Sequence, residues 1–254
     1  MGADWQLGTC IMLLLGNVAS VPPADSATDP LFSSVVLLVN SIGKSDLSTT
    51  FTDLSDSAHS LSAEGAVKYS TAATKHGTTS IAFDGGSDSV HIPNTSDLDF
   101  SDRTVEFCME LWVRISDTTT NTLICGRDSG GAEEFVFRTG GGTGVYLAIY
   151  NSGSAVFTHY ANGAFLTVDQ WHHVAVNRTL NGTNGDVDIY VDGVVALATG
   201  TQTSNGNTNT GGYDIGHNDY NSTRDLNGYV DSVRITRGDP RYTGNFTPAE
   251  FPTS

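Results

Sequence analysis

Leu226-Asn227-Gly228-Tyr229-Val230-Asp231-Ser232-Val233-Arg234-Ile235-Thr236-Arg237-Gly238 decides how the rest of this 254-residue chain is read. Apolar and polar residues alternate along it, the pattern of a strand buried on one face, and Gly238 closes it with a turn. Arg241-Tyr242-Thr243 and Asn245-Phe246-Thr247-Pro248 follow. They read as an irregular, proline-punctuated tail whose two aromatics are expected to be buried.

The same texture extends backwards to Leu31. Strands are expected at 35–40, 80–83, 89–92, 105–115, 123–127, 135–139, 145–150, 155–160, 173–178, 187–191, 194–199 and 229–236. Asp192-Gly193 sits between two of these runs and accepts the positive φ angles of a type I′ turn, so it predicts a hairpin. No stretch of a dozen residues keeps a 3.6-residue apolar period, and no internal repeat is visible. Apolar residues make up 38% and charged residues only 16%, with 28 glycines. That composition suits many short strands joined by turns around a real core. The expectation is an all-β, two-sheet antiparallel sandwich over residues 31–254.

Several segments resemble, in order, the landmarks of laminin-G-like, concanavalin A-like jelly-roll domains. Val35-Val36-Leu37-Leu38 resembles the opening strand, and Ser80-Ile81-Ala82-Phe83-Asp84-Gly85-Gly86-Ser87-Asp88-Ser89-Val90 the strand-turn-strand with its "FDG…D" loop. Glu110-Leu111-Trp112-Val113 is similar to "EFWV", Trp171 to Arg178 to "WYHVAVTR", and Ile189-Tyr190-Val191-Asp192-Gly193 to "LYVDG". The closing stretch completes the set, and it most resembles versions carried by bacteriophage decoration or tail proteins. The resemblance implies a jelly roll. It implies no shared active site, because such folds host lectins, hydrolases and structural modules alike.

Charge and termini narrow the function classes. Twenty-eight acidic residues face 12 basic ones, a formal charge of −16, and no Lys/Arg run exists to displace phosphate counterions. Nucleic acid is therefore not expected as a partner. Cys10, Cys108 and Cys125 show no CxxC spacing; buried thiols are the expected state, with a Cys108–Cys125 pairing left open. Residues 1–30 differ from the rest, with Trp5, the run Ile11-Met12-Leu13-Leu14-Leu15, and a linker rich in Pro and Asp. That run falls far short of the roughly 20 residues of a spanning helix, and the start lacks the basic residues of a signal peptide. Two readings of the arm stand: a flap on its own sandwich, or a docking segment in which Trp5, Ile11, Met12, Leu13, Leu14 and Leu15 enter a partner subunit.

Chemistry is sparse. Glu106 and Glu110 share a strand face, yet four residues of strand span about 13 Å, beyond the roughly 5–5.5 Å or 6.5–9.5 Å of glycosidase pairs. Related hydrolases carry Glu-x-Asp-x-x-Glu, whereas this chain has Cys108 and Leu111 at the corresponding places. His172 and His173 point to opposite faces and share no metal. The chain is thus expected to be no enzyme. The resemblance implies calcium at a sandwich rim, with Asp84 and Asp88, and Asp231 as a third ligand; turn capping by the same side chains is the competing reading. Tyr213, Asp214, His217, Asn218 and Tyr220, and the tyrosines Tyr146, Tyr150 and Tyr160, have the composition of a carbohydrate surface, or of ordinary sheet packing.

The expectation is a non-enzymatic virion protein, folded in a host cytoplasm and displayed on the particle surface. Its arm docks on capsid or tail proteins, its copies form a homo-oligomer, and its jelly roll decorates the particle or holds host glycans. The alternative is a secreted or surface-displayed carbohydrate-binding module.

Overall fold

A computed structural model describes residues 28–253, apart from positions 142 and 164. The docking candidates Trp5 and Ile11 to Leu15, with Cys10, lie outside the described residues. In chain order the strands are β1 (Val35–Val39), β2 (Ser62–Glu64), β3 (Lys68–Ser70), β4 (Ser80–Asp84), β5 (Ser89–Ile92), β6 (Phe107–Ile115), β7 (Thr122–Arg127) and β8 (Glu133–Thr139). Then come β9 (Val145–Asn151), β10 (Ser154–Ala161), β11 (His172–Asn181), β12 (Asn184–Val191), β13 (Val194–Val195), β14 (Gly200–Gln202), β15 (Gly212–Ile215) and β16 (Asn227–Arg237). No helix among the described residues is long and apolar enough to cross a membrane.

The strands form two antiparallel sheets, the jelly-roll sandwich expected. One runs β13-β12-β11-β6-β16-β4-β3, with β1 added beside β16 and β14 beside β12; the other runs β10-β9-β8-β7-β15-β5-β2. The closing stretch, β16, is central: β6 pairs along one side, while β4 and β1 share the other. Its alternation is not regular. A bulge sits between Asp231 and Val233, with Ser232 at φ 59°, and it shifts the phase so that Val230 and Val233 both enter the core. Without the extra residue one of the two valines would face outward, because side chains alternate with period two.

Phe107, Met109, Leu111, Val113 and Ile115 of β6 fill the centre of the sandwich, each at most 1% exposed. Burying such a side chain stabilises by about 1.5–3 kcal/mol. The alternate residues Cys108, Glu110 and Trp112 face outward, yet they too are covered. The tail after β16 does this. Phe251 packs on Val35, Leu38 and Trp112, Tyr242 stacks on Phe246 at 3.5 Å, and the Phe246 amide donates to Gly193 O at 2.8 Å. Gly193 and Asp192 have φ 77° and 50°, as the hairpin reading required.

Asp29, which sequence alone assigns to the linker, belongs to the folded body. It is buried, with Arg234 at 3.0 Å and Arg241 at 2.7 Å. Cys108 and Cys125 are free and buried on different strands of different sheets, so the pairing left open does not form.

Candidate functional site

The nine-stranded sheet has its outer face closed by the chain's own tail; among the described residues no such segment crosses the seven-stranded sheet. Its outer face is built by alternation along β8, β9 and β10. Phe135 and Phe137, Val145, Leu147 and Ile149, and Phe157 point into the core. The residues between them point out, and register aligns Arg138, Tyr146 and Tyr160 across three strands. Beside this row lie Val136, Ala148 and Cys125, a small apolar floor packed against Tyr146 and Tyr150. The two rings are half-buried.

Three side-chain contacts shape this face. The Arg138 guanidinium lies 3.9 Å over the Tyr146 ring. Tyr146 meets Tyr160 edge-on at 5.9 Å. Glu133 Oε1 accepts from Asn218 Nδ2 at 2.6 Å and from Arg224 Nη1 at 3.0 Å. Burial, and then the charge of Glu133, pushes the Tyr150 hydroxyl well above its ordinary range. Burial, and then Arg224, pushes Arg138 down.

Toward the rim the face passes into a chain of paired charges. His91 Nδ1 lies 2.9 Å from Asp214, whose other oxygen is 2.8 Å from Arg127 Nε. Arg127 also pairs with Asp219, and Asp219 lies 2.7 Å from His217 Nε2. His217 Nδ1 is 2.8 Å from Asp225. The hydrogen bond to Asp214 outweighs burial and raises the His91 pKa. Above this chain opens a groove of about 610 Å³ between Arg127, the Ser129–Ala132 turn, Asp219 and Tyr220. Its volume falls within the range of small-ligand sites, about 300–1,000 Å³.

The sequence-predicted carbohydrate residues are thus divided. Tyr220 is 66% exposed on the groove, and Asp214, His217 and Asn218 anchor the charged network beneath it. Tyr213 is not available to a ligand. It belongs to β15, a strand absent from those expected, and alternation sends it inward against Phe100 and Phe135, so for this tyrosine the sheet-packing alternative holds. Arg127, Glu133, Arg138 and Arg224 were missed. Arg138 carries the one legible signal, since it continues the outward phase set by Val136 on β8.

The calcium candidates do not form one centre. Asp84 and Asp88 are close, and Asp88 accepts the Asp84 amide at 3.0 Å and the Ala66 amide. Asp231 is elsewhere, four residues along β16 from the position paired with Asp84. Its oxygens accept from Ser41 Oγ at 2.7 Å and from the His76 and Lys75 amides at 2.8 and 3.2 Å. Carboxylates filled by N–H and O–H donors fit a cation poorly; Asp84 caps its own turn through the Gly86 amide at 2.9 Å, whereas Asp231 ties together segments far apart in the chain. Among the described residues no group of three or more His, Cys, Asp or Glu side chains is placed to hold a metal.

Glu110 is fully buried beneath the tail, where Arg234 Nη2 approaches to 2.7 Å, Tyr242 Oη donates at 2.6 Å and His173 Nε2 lies 3.0 Å away. Glu106 accepts the Leu180 amide at 2.8 Å instead. His172 caps the Asp192 turn and accepts the Thr167 amide, and His173 faces the other way, as alternation requires.

The model of the Concanavalin A-like lectin/glucanases superfamily, a laminin-G type, matches residues 84–238. Among solved structures, the chain is similar to the binding domain of Paraclostridial Mosquitocidal Protein 1, with 13% identity, TM-score 0.59, and 85% of this chain and 50% of that one covered. It is also similar to domain 4 of AbnA, a GH43 extracellular arabinanase from Geobacillus stearothermophilus, in complex with arabinotriose. There identity is 17% and TM-score 0.56, over 82% of this chain and 94% of that one. The receptor binding domain of botulinum neurotoxin D matches with 12% identity and TM-score 0.59, over 84% of this chain and 51% of that one. The chain spans about half the length of the two toxin domains. At these identities the likeness is one of fold. No curated protein sequence matches the chain.

Proposed function

This chain belongs to the Concanavalin A-like lectin/glucanases superfamily, and we propose that it is a non-enzymatic binding module that holds a carbohydrate against the outer face of its seven-stranded sheet. One observation carries the reading: Tyr146, Tyr150 and Tyr160 are half-buried on a face that no tail among the described residues covers, whereas the opposite sheet is roofed by the chain's C-terminal tail. An aromatic ring held in this way offers a flat apolar surface to a sugar ring, and the hydroxyls of Tyr150 and Tyr160 are tied back to Glu133 and to the Gly141 carbonyl, which fixes the rings in place. The groove at Tyr220 extends the surface beyond a single sugar unit. The arabinanase domain of the same fold was solved with arabinotriose, which supports an oligosaccharide ligand. Glu110, sealed beneath the tail and engaged by arginine, supports the non-enzymatic part of this reading. A glycan array tests this. Binding is expected, and Tyr146→Ala or Tyr150→Ala should weaken it about tenfold; an unbound array, or variants that bind as the parent does, removes the reading.

The setting we propose is a virus particle, with residues 1–27 as the docking arm on capsid or tail proteins and the jelly roll displayed outward as one copy of a homo-oligomer. The apolar Trp5 and Ile11-Met12-Leu13-Leu14-Leu15 support it. Deleting residues 1–27, which spares Asp29 and its arginines, should abolish attachment to particles lacking the protein while sugar binding persists. Attachment that survives the deletion refutes the arm's role.

A further inference from the structure

We infer that the carbohydrate held by the open face carries a carboxylate, as uronic and sialic acids do, and that Arg138 is its counter-charge; this rests on the carbohydrate reading above. The chain has only 12 basic residues, and three of them, Arg127, Arg138 and Arg224, lie on this one face. Two are spent. Arg127 is held by Asp214 and Asp219, and Arg224 by Glu133. Arg138 has no carboxylate partner among the described residues. Its Nη1 donates to the neighbouring Thr139 carbonyl at 3.0 Å, and its Nε is buried with no acceptor.

Every charged group that faces Arg138 sharpens the point. Arg224 repels it, and Glu133, the carboxylate nearest both arginines, already accepts from Arg224 and Asn218. Tyr146 and Tyr150 add only phenol hydroxyls. Of the three arginines on this face, Arg138 is thus the one that no carboxylate of the described residues holds, in a protein of net charge −16. A partly desolvated cation without a partner costs free energy, and the planar guanidinium fork matches a carboxylate in a bidentate pair. Stacking on Tyr146 holds that fork in place before any ligand arrives. The strongly acidic remainder of the protein disfavours polyanions, so one carboxylate on a sugar ring fits better than a sulfated chain or a nucleic acid.

Calorimetric titration of the full chain with sialyllactose and galacturonic acid, their methyl esters, and neutral lactose and arabinotriose tests the inference. An acid should bind at least about tenfold tighter than its own ester, and Arg138→Gln should erase that ratio. Arg138→Lys, which keeps the charge but loses the fork, should retain part of it, and a melt of each variant checks folding. Equal binding of acid and ester, an acid preference that survives Arg138→Gln, or binding of the neutral sugars alone overturns the inference and leaves the carbohydrate reading intact. If no sugar in the set or on the array binds, both fall together.

Discussion

Replacing Glu110 by Gln removes one charge from the most deeply buried ionic cluster of the described residues while nearly preserving shape. Both oxygens of Glu110 are engaged: Oε1 by Arg234 Nε at 2.8 Å and Nη2 at 2.7 Å, Oε2 by Tyr242 Oη at 2.6 Å and by His173 Nε2 at 3.0 Å. Burial pushes this carboxyl up, but Arg234, with His173 and Tyr242, overrides burial and holds it down to about 2. A carboxyl depressed from its ordinary 4.5 to about 2 contributes about 3 kcal/mol of stability at neutral pH. Breaking a buried pair by removing one partner costs about 3–5 kcal/mol, so two independent routes agree. For a domain of this size that is a fall in Tm of about 6–20 °C. Because the folded value lies below the unfolded one, the contribution is present above the ordinary carboxyl range and is lost as pH falls from 4.5 toward about 2. Calorimetry of parent and Glu110→Gln from neutral to acidic pH should therefore show a wide gap at pH 7 that closes in that window. A variant that melts within about 2 °C of the parent at pH 7, or a gap that ignores pH, refutes the argument that this cluster locks the tail to the sheet.

Tyr213→Ala should cost about 3–5 kcal/mol in denaturant unfolding, as removal of a core aromatic does, whereas Tyr220→Ala should stay within about 0.5 kcal/mol and weaken glycan binding instead. Gly193→Ala should loosen the tail: a residue with a Cβ pays about 1–2 kcal/mol at φ 77°, and that Cβ would collide with the Phe246 carbonyl. Faster tryptic cleavage after Arg241 reports it. Cys108 and Cys125 should resist a thiol reagent in the native protein and both react after unfolding, since each is buried and burial pushes each thiol up. Chelation by EDTA, or millimolar calcium, should move the melting temperature by less than about 1 °C, because the oxygens of Asp88 and Asp231 are filled by protein donors.

Much of the architecture is legible along the chain. Alternation in the segments that become β6, β8, β9 and β16, and the Asp192-Gly193 turn, are local signals, and they suffice for an all-β sandwich because periodicity two is a property of the strand itself. What lies between strong signals is not. β15 is four residues long and opens on Gly212, too short for its alternation to show whether Tyr213 faces a ligand or the core. The Val194–Thr199 run, strand-like in composition, pairs only over Val194–Val195.

Sequence alone settles that this chain folds as two sheets and which residues alternate, since both follow from spacing. It does not settle which phase of each alternation meets water. A single bulge at Ser232 reverses that phase, and the closure of one sheet depends on partners as far apart as Asp29 and Arg241. Only the assembled sandwich decides that the C-terminal tail roofs one sheet and not the other. It alone leaves the Arg138 guanidinium without a carboxylate among the described residues, because burial and pairing are set by contacts between residues the chain keeps far apart.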